Sequence, residues 1–461
     1  MGRNHSHGIS LPKKSSRLAP HSIFKLFLAI SIVVVFTATI YKLSDYFIQN
    51  SFPTLPKLTI TLSDVTIEKI DTDSKEIKYP GNSANLIFNK QSTLYSDVEI
   101  KGRGNSTWTQ AKKPYQIKFN QKEALFGYAP AKKWILLSNS LDASHLRNDV
   151  AFKIAHYFNN SFSPKGQFIE LTIDDSYRGL YYLTEKIEID KNRINLTNSN
   201  GFLAELNLYN GEGDDFIFTE DGIIVFIKDT VNSDNLALAK SDLVNIIDEI
   251  KQIASSKDYQ KLKQTIDVDS FAAHFLVNEF SANTEAYISN FYFYKDGEDD
   301  LLHIGPSWDF DLAFRDTYPK LLPGNHISLS NNPEEDRQNS VFPIIYDLLD
   351  IPEFSARIKE IYQETMSGKK EELLTYIKNQ AAYIRDAALR DEERWKLKTN
   401  FDDEVNYLLD WVSKRYDHFE EVYGTDSETN DEFKQPVIYD PTDNKPQEIL
   451  TLAPTPESPQ P

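Results

Sequence analysis

The 461-residue chain contains no cysteine. This absence excludes disulfide bonds, thiolate metal ligands and cysteine nucleophiles, so the stability of the fold has to come from packing. Positive charge is also in short supply: 50 Lys and Arg stand against 69 Asp and Glu, which gives a formal net charge of −19. A general nucleic-acid binder needs a basic face that displaces counterions from phosphates, and this charge balance argues against that class of protein.

Long apolar runs are rare too, and the clearest one occupies residues 26–41. Together with its apolar neighbours it approaches the roughly 17 to 20 residues that a thin bilayer accepts, which predicts a transmembrane signal anchor over residues 24–43. Residues 1–23 are basic and contain no acidic side chain, so the positive-inside rule places them in the cytoplasm and the bulk of the chain outside the cell. The alternative is a cleaved signal peptide, although residues 42–46 lack the small side chains of a cleavage site.

The rest of the chain is rich in what a folded core needs, with 40% hydrophobic and 12% aromatic residues overall. After a linker at residues 44–55, residues 56–232 contain short alternating or β-branched segments such as KLTITL and PYQIKF, which predict a mainly β region. In residues 233–423 the apolar period is 3.6, which predicts helices. Residues 424–461 hold seven of the 21 prolines and predict a disordered tail. The expected fold class is therefore α+β, with a β-rich lobe, a helical lobe and a ligand cleft between them.

Arg103 lies in the motif KGRGNSTW between two predicted strands, where flanking glycines let the backbone approach a ligand closely. Its guanidinium can grip a phosphate or a carboxylate with two parallel hydrogen bonds, although a plain turn between strands is the alternative. In the following strand, PYQIKF, Lys118 shares one face with Gln116 because side chains alternate along a strand. Lys118 is therefore either a solvated lysine or a cation that points into the cleft.

Two polar motifs in the second half of the chain carry acids. In NTEAYISNFYFY, Glu285 and Asn290 stand five residues apart before an aromatic strand, a spacing similar to the catalytic loop of phosphoryl transferases. In GPSWDFDLAF, Asp309 and Asp311 are bracketed by aromatic residues, and buried carboxylates are unfavourable unless they are paired or bind a cation. Mg²⁺ or Mn²⁺ with oxygen ligands meets that requirement. The alternatives are a helix cap or a salt bridge for the aspartates and a chance acid and amide pair in the first motif.

Seven segments in the same order resemble the spore coat protein H (CotH) kinase family. They lie within residues 56–420 and read KGRGNSTW, KKPYQIKF, WILLSNSLDASHLRND, RGLYYLTEKIEIDKNRI, GFLAELN, NTEAYISNFYFY and GPSWDFDLAF. The resemblance implies a membrane-anchored bacterial protein with a highly diverged protein-kinase fold. In such a fold a β-rich N-lobe and a helical C-lobe hold ATP and a divalent metal, Mg²⁺ or Mn²⁺, between them.

The resemblance also implies roles for individual acids and amides. Asp309 matches the metal-binding acid, with Asp311 as a second support, and Asn290 matches the metal-binding amide. Glu285 occupies the position where the family usually has an aspartate that acts as a base toward the acceptor hydroxyl. Glutamate keeps the charge but adds a methylene, which shifts the geometry of the base. Glu285 and Asp309 are thus the expected catalytic residues, with a departure from the family pattern at Glu285.

Basic residues complete the site that the resemblance implies. Lys118 is expected to contact phosphate, Glu185 in YYLTEKIE to form an ion pair with Lys118, and Arg103 to add a second cation. Arg147 and Asn148, in HLRND, belong to the family-like pattern, but no task for them follows from the sequence.

The function expected from these residues is transfer of the γ-phosphoryl group of ATP to a Ser or Thr hydroxyl of a protein substrate. ATP is scarce outside a cell, so a surface-interaction protein on a kinase-like scaffold is one alternative. Transfer of another group from ATP or from a different activated donor is a further alternative. The membrane contact is expected through the N-terminal helix only, and no nucleic-acid partner is expected.

Overall fold

The computed structural model describes residues 54–159, 162–206, 216–218, 224–283, 285–286, 289–315 and 344–424. The predicted anchor at residues 24–43, the leader before it and the predicted tail beyond residue 424 lie outside the described residues. In the part of the chain that is described, we find no helix with the length and hydrophobicity needed to cross a bilayer.

Seven strands form a closed sheet. They are β1 (Lys57–Thr61), β2 (Tyr79–Phe88), β3 (Gln91–Gly102), β4 (Tyr115–Glu123), β5 (Ala131–Leu137), β6 (Gly166–Ile173) and β7 (Ser176–Glu185). Their order is β1-β2-β3-β4-β5-β7-β6, and β1 closes the sheet by pairing in parallel with β6. Because side chains alternate along a strand, one side of each strand fills the interior, where Ile60, Ile117 and Trp134 are fully buried.

Two helices accompany the closed sheet, α1 (Ile67–Thr72) and α2 (Arg147–Tyr157). Thr66 caps α1, since its hydroxyl accepts a hydrogen bond from the backbone N–H of Lys69. Helix α2 is buried over most of its length, including its first residues. Single turns of 3₁₀-helix occur at Ser106–Thr109, Leu125–Gly127 and Ser233–Asn235.

A second sheet has five strands. They are β8 (Phe202–Leu206), β9 (Phe216–Phe218), β10 (Ile224–Thr230), β11 (Phe291–Lys295) and β12 (His303–Ile304). Their order is β12-β11-β8-β10-β9, and each pair of neighbours is antiparallel. Three of these strands precede the expected lobe boundary at residues 232/233 and two follow it, so this sheet joins the two parts of the chain.

Seven helices make up most of the remaining described residues. They are α3 (Leu236–Ser256), α4 (Tyr259–Thr265), α5 (Val268–Ser281), α6 (Ile344–Leu349), α7 (Pro352–Thr365), α8 (Lys370–Trp395) and α9 (Phe401–Tyr423). Helix α5 is buried at 13 of its 14 positions, so it is a central helix without a solvated face. Helices and sheets in one chain confirm the expected α+β class, whereas the division into two kinase-like lobes stays a prediction.

Candidate functional site

The topology of β11 and β12 brings two of the expected site residues together. The strands are antiparallel, so the start of β11, just after Asn290, lies beside the end of β12, from which the chain runs on to Asp309. The Asn290 side-chain N–H₂ donates a hydrogen bond of 3.1 Å to Asp309 Oδ2. The family resemblance implied that these residues share a site, and the structure places them in direct contact.

The backbone at this contact is in an uncommon conformation. Asn290 has φ 58° and Asp309 has φ 64°, both in the left-handed region. A side chain with Cβ costs roughly 1 kcal/mol there, although Asn and Asp tolerate it best. Asn283, just after α5, supports the loop because its side-chain amide donates to the backbone carbonyl of Asp309 at 3.3 Å. The loop geometry is thus specified from two sides.

Glu285 belongs to the same electrostatic cluster. Burial, followed by repulsion from Asp309, raises the pKa of the Glu285 carboxyl to about 7. Burial also raises the pKa of Asp309, while the charge of Arg103 and the hydrogen bond from Asn290 oppose that increase. Carboxylates that repel one another in a partly desolvated site favour binding of a cation or a proton.

Asp311 lies deeper than Asp309 and is 8% exposed. Its Oδ1 accepts a short hydrogen bond from the side-chain amide of Asn148, and its backbone carbonyl accepts one from Arg147 Nη1 at 3.1 Å. Burial, with repulsion from Asp309 and Asp142, raises the pKa of the Asp311 carboxyl to about 8. The structure therefore surrounds Asp311 with protein groups from the start of α2.

Arg147 and Asn148 are the residues whose task the sequence left open. Each is 1% exposed. Both bond to the segment Asp309–Asp311, called the Asp309 loop below, which lies more than 160 residues further along the chain. Asp142 fixes the start of α2, because its Oδ2 accepts the backbone N–H of Arg147 at 2.9 Å. The only sequence signal for these contacts was membership of HLRND in the family-like pattern.

Arg103 extends from the end of β3 toward the same loop. Its guanidinium lies 5.3 Å from the centroid of the Trp308 ring, a cation–π distance. Burial lowers the pKa of Arg103, and the negative charges of Asp309, Asp311 and Glu205 partly offset this effect. The expected cation of the KGRGNSTW motif is therefore next to the acids.

A cleft between the two sheets concentrates positive charge in an acidic protein. Its volume is about 190 Å³, and its walls include Lys75, Lys101, Arg103, Lys186, Lys228 and Trp308. Gln116 from β4 also faces it. The expectation that one face of β4 points into a cleft holds for Gln116. An anionic ligand is the species that such a cleft favours.

It was not predicted from the sequence that Lys186 and Lys228 line the cleft. Burial lowers the pKa of Lys186 to about 8, and the neighbouring cations, including Lys133, Lys228 and Arg103, add to the effect. Lys228 on β10 forms a short ion pair with Glu205 on β8, and the Tyr292 hydroxyl donates to the same carboxylate at 3.2 Å. Lys186 directly follows Glu185 in the sequence, so strand alternation was the signal that could have found it.

The expected ion pair between Lys118 and Glu185 is wrong. Cross-strand register puts Lys118 beside Lys133 on the outer side of the closed sheet, whereas Glu185 is in register with Trp134, whose side chain is in the interior. Residues in register share a face, so Lys118 and Glu185 lie on opposite faces of the sheet. Glu185 instead forms a buried ion pair of 2.8 Å with Arg193.

The donor atoms beside Asp309 fit a hard divalent cation. Carboxylate and amide oxygens are the ligands that Mg²⁺ and Mn²⁺ take, and Asp309, Asn290 and Glu285 supply that chemistry. Within the described residues, no group of three or more acidic or His side chains is close enough to form a complete metal cage. Mg²⁺ is usually held by one or two carboxylates together with the phosphates of a substrate.

Comparisons with known proteins give the family of the chain. A family model described as CotH kinase protein matches residues 100–419, which is more than half of the chain. The chain is also 21% identical to the inner spore coat protein H of Bacillus subtilis (strain 168) over 333 residues, covering 69% of this chain and 85% of that protein. The match over more than half of the chain shows that it belongs to the CotH kinase family.

Proposed function

We propose that the protein is an ATP-dependent protein kinase that uses Mg²⁺ or Mn²⁺ to transfer the γ-phosphoryl group to Ser or Thr. The observation that carries this proposal is the position of the acids beside the cationic cleft. Arg103 and Trp308 line the cleft, and Trp308 precedes Asp309 in the chain. Membership of the CotH kinase family supports a kinase-like function in general terms.

In the proposed reaction the cations of the cleft bind the triphosphate. Arg103, Lys186 and Lys228 lie on different elements, so they can contact different phosphoryl oxygens. Asp309 and Asn290 would hold the divalent cation, whose charge helps to stabilise the phosphoryl group during transfer. Because phosphoryl transfer depends mainly on positioning and charge, residues held by buried hydrogen bonds suit this role.

Glu285 is proposed as the base that accepts the proton of the acceptor hydroxyl. With a pKa of about 7 it is partly ionised at neutral pH, and only the ionised form accepts a proton. The bound cation would favour that ionised form. Glu285 has one more methylene than the aspartate usual in the family, and this changes how far the carboxylate extends toward the hydroxyl oxygen.

A nucleotide-binding protein without transfer activity is the second candidate. One observation favours it: Glu285 departs from the family pattern at the position of the base. For either candidate, the cleft volume of about 190 Å³ is smaller than the roughly 300 Å³ at which small-molecule pockets begin. A whole nucleotide would therefore require the two sheets to separate. The predicted anchor, which places the site outside the cytoplasm, belongs to either proposal.

The test is intact-mass analysis of the full-length protein and a Ser- and Thr-containing acceptor protein after incubation with ATP and Mg²⁺ or Mn²⁺. Asp309→Asn is the matched control, because asparagine tolerates the left-handed backbone at this position while removing the charge. A phosphate-sized mass gain with wild type and none with Asp309→Asn supports the kinase. Nucleotide binding without any adduct supports the second candidate, and a different adduct indicates transfer of another group.

A further inference from the structure

Both the oxygen and the nitrogen of the Asn148 side-chain amide form hydrogen bonds with the Asp309 loop. Its Oδ1 accepts the backbone N–H of Phe310 at 3.0 Å, and its Nδ2 donates the short hydrogen bond to Asp311 Oδ1. Because the two bonds need an acceptor and a donor at fixed places, only one orientation of the amide satisfies both. Asn148 is 1% exposed, so the two hydrogen bonds form away from bulk solvent. A buried donor or acceptor without a partner lowers the stability of the folded protein.

Arg147 adds a third bond to the same segment. Its Nη1 donates to the backbone carbonyl of Asp311 at 3.1 Å. The guanidinium is itself held by Asp142, whose Oδ1 lies 3.5 Å from Arg147 Nε. Two neighbouring residues at the start of α2 therefore hold the two residues that directly follow Asp309.

The backbone of Asp309 needs this support. Its φ of 64° is unfavourable, and a residue in this region persists when its surroundings fix it. The hydrogen bond from Phe310 N–H to Asn148 lies one residue after the unfavourable position. The contact with Asp311 lies two residues after it. The side chain of Asn148 thus acts on the stretch of chain that sets where the Asp309 carboxylate is.

We propose that Asn148 and Asp311 form a clamp that positions Asp309 for a divalent cation, so that Asp311 is a positioning residue and not a metal ligand. The inference rests on the proposed function, because it takes Asp309 as the residue that meets the cation. It replaces the expectation that Asp311 gives the metal a second support. The physical reason is that Asp311 is buried and bonded to Asn148 and Arg147 from α2, whereas Asp309 is partly exposed.

The experiment measures Mn²⁺ affinity of the full-length protein, with and without ATP, by electron paramagnetic resonance of the free ion. The variants are Asn148→Asp, Asp311→Asn, their combination, and Asp309→Asn. Asp311→Asn keeps an oxygen for the Asn148 amide, so we expect a change of less than about 3-fold in the Mn²⁺ dissociation constant. Asn148→Asp removes the N–H that donates to Asp311 Oδ1, and we expect about 10- to 100-fold weaker binding.

The combined variant provides the rescue. The carboxylate introduced by Asn148→Asp accepts both the Phe310 N–H and an N–H of the amide introduced by Asp311→Asn, and the variant keeps the same number of acidic residues as wild type. We therefore expect Mn²⁺ affinity to return to within about 5-fold of wild type, because all the hydrogen bonds of the clamp are restored. Asp309→Asn should abolish binding. Thermal unfolding of each variant shows that the affinity refers to folded protein.

Three outcomes overturn the clamp. The first is a loss of Mn²⁺ affinity in Asp311→Asn as large as that in Asp309→Asn, which would make Asp311 a ligand. The second is unchanged affinity in Asn148→Asp, and the third is a combined variant that binds no better than Asn148→Asp although it is folded. Wild-type protein that binds neither Mn²⁺ nor ATP refutes the proposed function and the clamp together. Wild-type binding that Asp309→Asn abolishes and Asn148→Asp leaves unchanged refutes the clamp alone.

Discussion

We predict that the protein takes up a proton at Lys186 when a nucleotide binds in the cleft. Burial and neighbouring cations lower the pKa of Lys186 to about 8, so about half of the protein carries a neutral lysine at pH 8. A triphosphate placed among these cations stabilises the charged form and raises the pKa again. If the bound pKa returns to its usual value near 10, about 0.5 proton is taken up at pH 8 and about 0.9 at pH 9.

The assay is isothermal titration calorimetry of ATP binding in buffers that differ in ionisation enthalpy, at pH 7, 8 and 9. The slope of observed enthalpy against buffer enthalpy gives the number of protons taken up, and we expect it to rise with pH. Lys186→Arg is the matched control, because arginine stays charged over this range and should remove the uptake while keeping a cation. ATP binding with a slope of zero at pH 8 and 9, or with an unchanged slope in Lys186→Arg, would refute the role of Lys186 in phosphate binding.

Three further predictions concern stability and catalysis. Arg193→Ala leaves Glu185 as a buried unpaired charge and should lower the free energy of unfolding by about 3 to 5 kcal/mol, measured by denaturant titration. Lys118→Ala, on the outer face of the closed sheet, should change it by less than about 0.5 kcal/mol. Equal effects of the two variants would contradict the strand register that separates Lys118 from Glu185. Burial raises the pKa of Asp149 from 3.8 to about 6 in the folded protein, so ionising this group opposes folding. The free energy of unfolding of wild type relative to Asp149→Asn should therefore fall by up to about 3 kcal/mol as pH rises from about 4 to 6.5; a difference that is constant with pH would contradict the assigned pKa. Glu285→Asp should raise the transfer rate by restoring the residue usual in the family, and an unchanged rate would remove Glu285 from the role of base.

Local patterns predicted the parts of the site that depend on short stretches of chain. The alternation of PYQIKF placed Gln116 and Lys118 opposite Tyr115 and Ile117, and burial in β4 follows that alternation. The apolar setting of the acids indicated a cation at Asp309, and the resemblance to the CotH kinase family brought Asn290 into the same hypothesis. The alternation and the cation follow from the geometry of a strand and the unfavourable energy of a buried charge.

The errors came from contacts that depend on the order and register of strands. Glu185 faces the interior beside Trp134 because β7 lies next to β5, and no local pattern specifies that neighbour. Glu185 faces the interior, and the next residue, Lys186, faces the cleft, because successive side chains of a strand point to opposite faces. Asn148 meets Phe310 across 162 residues, and such a contact leaves no periodic signal in the sequence.

The central claim is that the cleft and the Asp309 loop together transfer the γ-phosphoryl group of ATP. The most direct measurement uses ATP whose γ-phosphoryl oxygens are isotopically heavy, with Mn²⁺ or Mg²⁺, the full-length protein and an acceptor protein, followed by mass analysis of the product and of the remaining nucleotide. We predict a heavy phosphate on a Ser or Thr of the acceptor, ADP as the other product, and neither with Asp309→Asn. An unlabelled adduct, a nucleotide-sized adduct, or equal transfer by Asp309→Asn would contradict the claim.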